Sequence, residues 1–390
     1  MFKLLMPTVG NGLVRVSQLL VLVVLSGGIG GGTRNVLVAG FGLLASLAIL
    51  TDAGGSNYIL STEETVIGRK IFDRIIALQL FTGVFGAMGA IALLSFSAGA
   101  LLTLQVGAVL GAIAMAQTIE GSFRAIRAPL LVQRRDQDYG YADLVLFALK
   151  LPIIIAALVS GNLAILLFLP VASLTVAAPV FIMVRRSLTP AGSNVSWLWL
   201  RVLEFGVTGG LSAFYSQSPM VVGSLFLQPA QLAVLAVVYR VVQPLELVPS
   251  MVAQQLLPRI HRRPGNPSRY WVLFVSGGFA MLCLVLLLRP VLEMILNARF
   301  EPLLVFYIVA AALVPKFGNY ALVSYMMATG QIRTRLVLTV VVGAVAVVGS
   351  FVASTMGVVE LAVITPASEL LLTALIGAVF IRAGRRTDQL

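Results

Sequence analysis

Of 390 residues, 59% are hydrophobic and only 11% charged, with a formal net charge of +12. A soluble domain carries about 25% charged residues, so a soluble globular chain is excluded. A single cysteine, Cys283, and a single histidine, His261, exclude a disulfide framework, a thiolate cluster and a His-rich metal site, and no cofactor is implied.

The first apolar segment, 7–27, follows Met1–Pro7, which carries one Lys3 and no small-residue cleavage pattern. It reads as a retained span. A second apolar window covers 36–59. Positions 75–119, 151–184 and 205–239 then contain no Asp, Glu, Lys or Arg. Each run is too long for one buried helix and fits a pair of spans needing about 20 apolar residues apiece. With the turn residues Ser160-Gly161-Asn162, Gln228-Pro229 and Thr355-Met356-Gly357 as breaks, the remaining spans fall at 75–97, 100–122, 142–160, 163–184, 202–226, 230–256, 271–294, 303–328, 335–354 and 359–381. The expectation is an all-α polytopic membrane protein of about twelve helices.

In a soluble chain, so basic a balance would point to nucleic acid. Here the cations mark alternate loops instead. They occur as Arg69, Lys70 and Arg74; Arg124, Arg127, Arg134 and Arg135; Arg185 and Arg186; Arg259, Arg262, Arg263 and Arg269; Arg333 and Arg335; and Arg382, Arg385 and Arg386. The intervening loops hold essentially Arg34 and Arg299. Positive charge stays on the cytoplasmic side, which predicts a multi-pass protein of the cytoplasmic (inner) membrane with both termini inside. The basic, Pro/Gly-containing stretch from Arg185 to Ser196 divides the spans six and six. The expected organisation is an N-terminal six-helix lobe over 1–186, a cytoplasmic linker over 187–200 and a C-terminal six-helix lobe over 201–390, around a central cavity.

An ionisable group at the centre of a span costs about 2.5–3.5 kcal/mol on insertion scales, so it faces protein or a water-filled cavity. Arg15, Lys150, Arg240 and Lys316 are the deep cations, two from each half, with Arg289 nearer an outer end. Converging on one cavity, they suit an anionic substrate: Arg offers a bidentate fork for phosphate, Lys a point charge. The acids Asp52, Glu120, Glu204, Glu246 and Glu369 open a second reading, in which the cations form ion pairs that hold the bundle together. Arg240 and Glu246, six apart, do not face each other on one helix, so such pairs must join different helices. Buried acids also exchange protons when desolvated, which makes Asp52, Glu120, Glu246 and Glu369 candidates for coupling or gating. Prolines within or near spans, densest at Gln243-Pro244-Leu-Glu246-Leu-Val-Pro249, predict kinked helices suited to alternating access.

Three stretches carry a resemblance. Span two ends in Thr51-Asp52-Ala53-Gly54; span eight and its exit read Tyr239-Arg240-Val-Val-Gln243-Pro244 and then Leu257-Pro258-Arg259; and a loop reads Met327-Ala-Thr-Gly330-Gln-Ile-Arg333-Thr-Arg335. These are similar to the Asp-x-Gly helix end, the tyrosine-containing helix closing in Pro-Arg, and the Gly-plus-basic loop of Wzx-type polysaccharide-biosynthesis flippases, within the multidrug/oligosaccharidyl-lipid/polysaccharide exporter superfamily. The chain departs from that pattern at Gly55, where a larger apolar residue is usual, and at Glu360, three residues after Gly357.

The resemblance implies a V-shaped twelve-helix bundle. It further implies export of a polyprenyl-pyrophosphate-linked oligosaccharide to the outer leaflet, a cationic cavity served by Arg15 and Arg240, and glycosyltransferase or polymerase partners. Lys150 and Lys316 are added to that cavity on the charge argument alone. An ion-coupled multidrug or small-metabolite antiporter of the same superfamily is the alternative. A major-facilitator transporter is disfavoured because Ser61 and Thr65 stand where its loop motif has Gly and Asp. A lipid-dependent glycosyltransferase needs a large outer loop that the short predicted outer loops do not supply, so no enzymatic activity is expected.

Overall fold

The structure, a computed structural model, describes residues 2–27, 31–48, 51, 54–61, 67–133, 135–190, 202, 215–246, 248–250, 252–253, 256, 260, 266–296 and 301–387. Helix α1 (Phe2–Gly27) is followed by α2 (Gly32–Leu47) and the short α3 (Gly55–Ser61). Together α2 and α3 occupy the second predicted span, which is therefore broken. Gly54, at φ +81°, precedes α3, a conformation open to glycine at no steric cost. Next come α4 (Arg69–Ala98), α5 (Leu104–Val132) and α6 (Asp136–Ser160). Gly161 ends α6 in the left-handed region. Asn162 then caps a 3-10 turn by accepting from the Ala164 amide at 3.0 Å, and the turn leads into α7 (Leu169–Ser187).

Residues 215–226 form α8, followed by α9 (Pro229–Val242), α10 (Pro267–Leu296), α11 (Leu303–Ala311), α12 (Leu313–Ala328), α13 (Ile332–Ser354) and α14 (Val358–Thr387). The tenth predicted span is also divided, between α11 and α12. Pro315 explains the position: its ring crowds the carbonyl four residues back, at Ala311, and it has no N–H to offer. Likewise Pro244 disfavours helix at Gln243, so α9 stops at Val242 and continues as a 3-10 turn over Gln243–Glu246. Inside α5, α6, α7, α10 and α14, Pro129, Pro152, Pro179, Pro290 and Pro366 are carried without ending the helix.

Each of the twelve predicted spans contains helix among its described residues, and no strand occurs among the described residues. Nine helical stretches among the described residues are long and apolar enough to cross a bilayer. Their outward faces are apolar too. Phe81, Phe85, Met88 and Phe96 on α4 are each more than 60% exposed, which suits hydrocarbon and not water as the surrounding medium. The protein is a polytopic all-α membrane protein.

Two compact units emerge, Met1–Ala213 with Gln228–Ala236, and Phe214–Leu227 with Val237–Leu390. In the first, α1 packs along α6, and α5 packs against α4 and α7. The core gathers Phe72, Ile75, Phe123, Ile126, Leu146 and Val184. There Arg69 of α4 donates to the carbonyls of Leu188 and Arg186 at 3.1 and 3.2 Å, tying down the beginning of the predicted 187–200 linker. The rest of that linker, 191–200, lies outside the described residues. In the second unit, α10 packs on α12 and α13 on α14, around Tyr215, Leu322, Met326, Val342 and Leu372.

Candidate functional site

Each unit places a lysine–glutamate pair inside its helices. In the first, α5 carries Glu120 and Arg127, and α6 carries Asp143 and Lys150. Seven residues separate the members on each helix, two turns or about 10.5 Å, so both charges of a helix share one face. Both helices carry the acid first and the base second, and they pair in opposite directions, so two ion pairs form. Lys150 Nζ donates to Glu120 Oε1 at 2.7 Å, and Arg127 pairs with Asp143. Arg127 also donates from Nε to the Phe123 carbonyl and from a terminal nitrogen to that of Tyr139, both at 3.3 Å. Its guanidinium lies 4.6 Å from the Phe123 ring centre and 4.2 Å from that of Tyr139. Ser173 of α7 adds a third helix, donating to Glu120 Oε1 at 3.0 Å.

The position of Arg127 corrects the sequence reading, which set it among loop cations beyond a span ending at 122. Helix α5 continues to Val132, and Arg127 is buried. Its positive charge is neutralised locally by Asp143 and so marks no solvent boundary.

In the second unit Lys316, in the first turn of α12, donates to Glu246 Oε1 at 2.8 Å and lies 4.0 Å from Glu369 Oε1. Glu369 on α14 is 1% exposed. It accepts from Tyr215 at 3.2 Å and, through Oε2, from Asn319 Nδ2 at 2.8 Å. Thr373 donates to Asn319 Oδ1 at 2.8 Å, which fixes which way the amide faces. Tyr239 of α9 hydrogen-bonds Thr365 of α14. Both proline-induced breaks contribute here, since Glu246 sits on the turn that ends α9 and Lys316 starts the helix that follows Ala312. Two carboxylates therefore share one ammonium.

Of the eight sequence-predicted site residues, the structure brings together Lys150 with Glu120, and Lys316 with Glu246 and Glu369. Arg15 is half-buried near the middle of α1, and Arg240 is buried in the last turn of α9, near the middle of the apolar stretch Pro229–Ser250 that is long enough to cross a bilayer, which agrees with the sequence placement. Asp52 and Glu204 lie outside the described residues. Arg289 pairs with Glu293 on its own helix at 3.1 Å and donates to the Tyr307 hydroxyl at 2.9 Å. Sequence reasoning missed Ser173, Tyr215, Asn319, Thr373 and the Arg127–Asp143 pair. Only the last had a signal, the seven-residue spacing of opposite charges on adjoining segments. Among the described residues no group of three or more His, Cys, Asp or Glu gathers as a metal site.

No protein-family model matches the sequence, and no curated protein matches it either. Solved structures do. The chain is similar to the lipid II flippase MurJ in an inward closed conformation, with a TM-score of 0.67 and 13% identity over 95% of this chain and 86% of that one. It is similar to an inward-facing multidrug resistance MATE family transporter of the MOP superfamily, at TM-score 0.65 and 12% identity, covering 96% of each chain. The eukaryotic MATE transporter AtDTX14 follows at TM-score 0.59 and 14% identity, over 97% of this chain and 95% of that one. At these identities the likeness establishes the fold, which this chain shares with transporters of that superfamily.

Proposed function

We propose that the protein is an inner-membrane transporter that moves a polyprenyl-pyrophosphate-linked oligosaccharide to the outer leaflet by alternating access. Glycosyltransferases or a polymerase supply and consume its cargo. The observation that carries this reading is the fold likeness to a lipid II flippase over nearly the whole chain. Arg15 and Arg240 are assigned to the pyrophosphate, because a guanidinium grips phosphate oxygens in pairs. Lys150 and Lys316 join them only when their glutamates let go, since phosphate and carboxylate compete for the same ammonium.

Coupling is assigned chiefly to Glu246 and Glu369. With both ionised beside Lys316, one negative charge is left over at membrane depth, where it is costly, and a proton or small cation would neutralise it. Neutralising Glu246 also releases Lys316 toward an anion, which links ion uptake to cargo. Asp52 and Glu120 are retained as further coupling candidates.

The test is flipping of a fluorescent polyprenyl-pyrophosphate-linked oligosaccharide in proteoliposomes. Wild-type protein is expected to flip it. Arg15→Ala with Arg240→Ala should abolish flipping at unchanged insertion, and the two Arg→Lys changes should leave partial activity. Full flipping by a well-inserted double alanine variant overturns the assignment. A second reading, an ion-coupled multidrug or small-metabolite antiporter, draws on the MATE likeness and on the acidic excess around Lys316. It predicts ion-driven uptake of organic cations and no lipid flipping by the same vesicles.

A further inference from the structure

The charge count of the first unit's pair closes, whereas that of the second unit's cluster does not. How it closes is specific. Lys150 Nζ and Ser173 Oγ both donate to Glu120 Oε1, at 2.7 and 3.0 Å. Glu120 Oε2 is buried with no hydrogen-bond partner, on a side chain only 9% exposed, and Lys150 is 4% exposed. Gln117, one turn earlier on α5, brings an amide oxygen and nitrogen that are likewise buried without partners. Carboxylate, hydroxyl and amide oxygens are hard donors, and together they carry a single negative charge. Such a set matches a monovalent cation in charge and leaves a divalent one half-neutralised. In this chain the cation arrives on a lysine stem.

We propose that Lys150 is a tethered cation: its ammonium fills an oxygen seat formed by Glu120 and Ser173 with Gln117 beside it, and truncating the lysine turns that seat into a binding site for an alkali-metal or ammonium ion. With Lys150 seated, the first unit carries this counter-charge in its own chain, and an ion enters at Glu120 only when the lysine leaves. The inference rests on the first unit alone and does not depend on what is transported.

Thermal unfolding of the purified full-length protein tests it, in sodium, potassium, ammonium or choline chloride at equal ionic strength. Choline is too large for the seat. Lys150→Ala should be stabilised by one or more of the small cations over choline, with Tm rising by roughly 2–4 °C at saturation. Lys150→Ala combined with Glu120→Gln should show only whatever cation response the wild type shows, since any response of the second unit is common to all. Propylammonium, which restores the missing stem and charge together, should stabilise the single variant and leave the double unchanged. Equal cation responses in the single and double variants overturn the proposal. Lys150→Gln serves the same comparison if Lys150→Ala accumulates poorly. Failure of both single variants to accumulate in the potassium-rich cell, while the double variant accumulates, also overturns it, because no mobile cation would then replace the lysine.

Discussion

Arg127 and Asp143 are buried and face each other across two helices, so each is the other's compensation. Removing one partner strands a charge, at a cost of about 3–5 kcal/mol, whereas replacing both with apolar residues of similar size is often neutral. Arg127→Met and Asp143→Leu are each expected to lower the yield of folded, membrane-inserted protein sharply, and the double variant to recover most of it. Fluorescence-detected size exclusion of the solubilised variants checks this. A double variant no better than the worse single one would mean that the Phe123 and Tyr139 ring contacts of Arg127 outweigh its charge pairing. At this scale the sequence was half legible. Deep charges stood out singly, because ionisable residues are rare in apolar runs. Their neutral partners Ser173, Asn319, Tyr215 and Thr373 did not, because small polar residues are ordinary in such helices and only the tertiary fold selects among them.

Among the helices, closeness of approach is set by a few residues without side chains. Gly278 on α10 faces the α11–α12 junction: a Cβ there would meet the Leu313 carbonyl oxygen at 2.9 Å and the Val314 Cα at 3.0 Å. Both are backbone atoms, so no rotamer change relieves the clash. At the neighbouring Gly277, a Cβ would meet only the Phe317 ring, at 3.6 Å, an ordinary contact. Gly278→Ala is therefore expected to destabilise the protein by about 1–3 kcal/mol, the usual range for overpacking, and Gly277→Ala to change little. A lower Tm for Gly278→Ala alone is the expected result; equal values would mean that α10 and α12 can separate freely. The elements themselves were largely readable, since long apolar runs and turn residues set their limits. Where helices break was not. Pro315 and Pro244 were visible as prolines, yet other prolines, such as Pro152 and Pro366, sit in helices that continue. Whether a proline ends a helix depends on what else can satisfy the freed carbonyl, and that is a property of the packing.

For the molecule as a whole, orientation rests on the basic residues of alternate loops, and it makes a prediction that needs no knowledge of cargo. Lys70, Arg74, Arg185, Arg186 and Arg333 are exposed; Arg185 and Arg186 end α7, whose other end lies just after Ser160 and Gly161, and Arg333 lies in the first turn of α13, whose other end is the Thr355–Gly357 turn. Lysine and arginine resist translocation, so the basic ends are expected in the cytoplasm and the other turns outside. Since Cys283 is the chain's single cysteine, Cys283→Ser provides a cysteine-free background with one change on the exposed face of α10. In that background Ser160→Cys and Met356→Cys, both at exposed positions, should react with a membrane-impermeant maleimide in cells whose inner membrane is intact and whose outer barrier has been opened. Lys70→Cys and Arg186→Cys should react only after the inner membrane is permeabilised. The opposite pattern would invert the orientation, and with it the leaflet from which any lipid-linked cargo is collected. Labelling of all four sites from one side would break the alternation of spans on which the count of twelve depends.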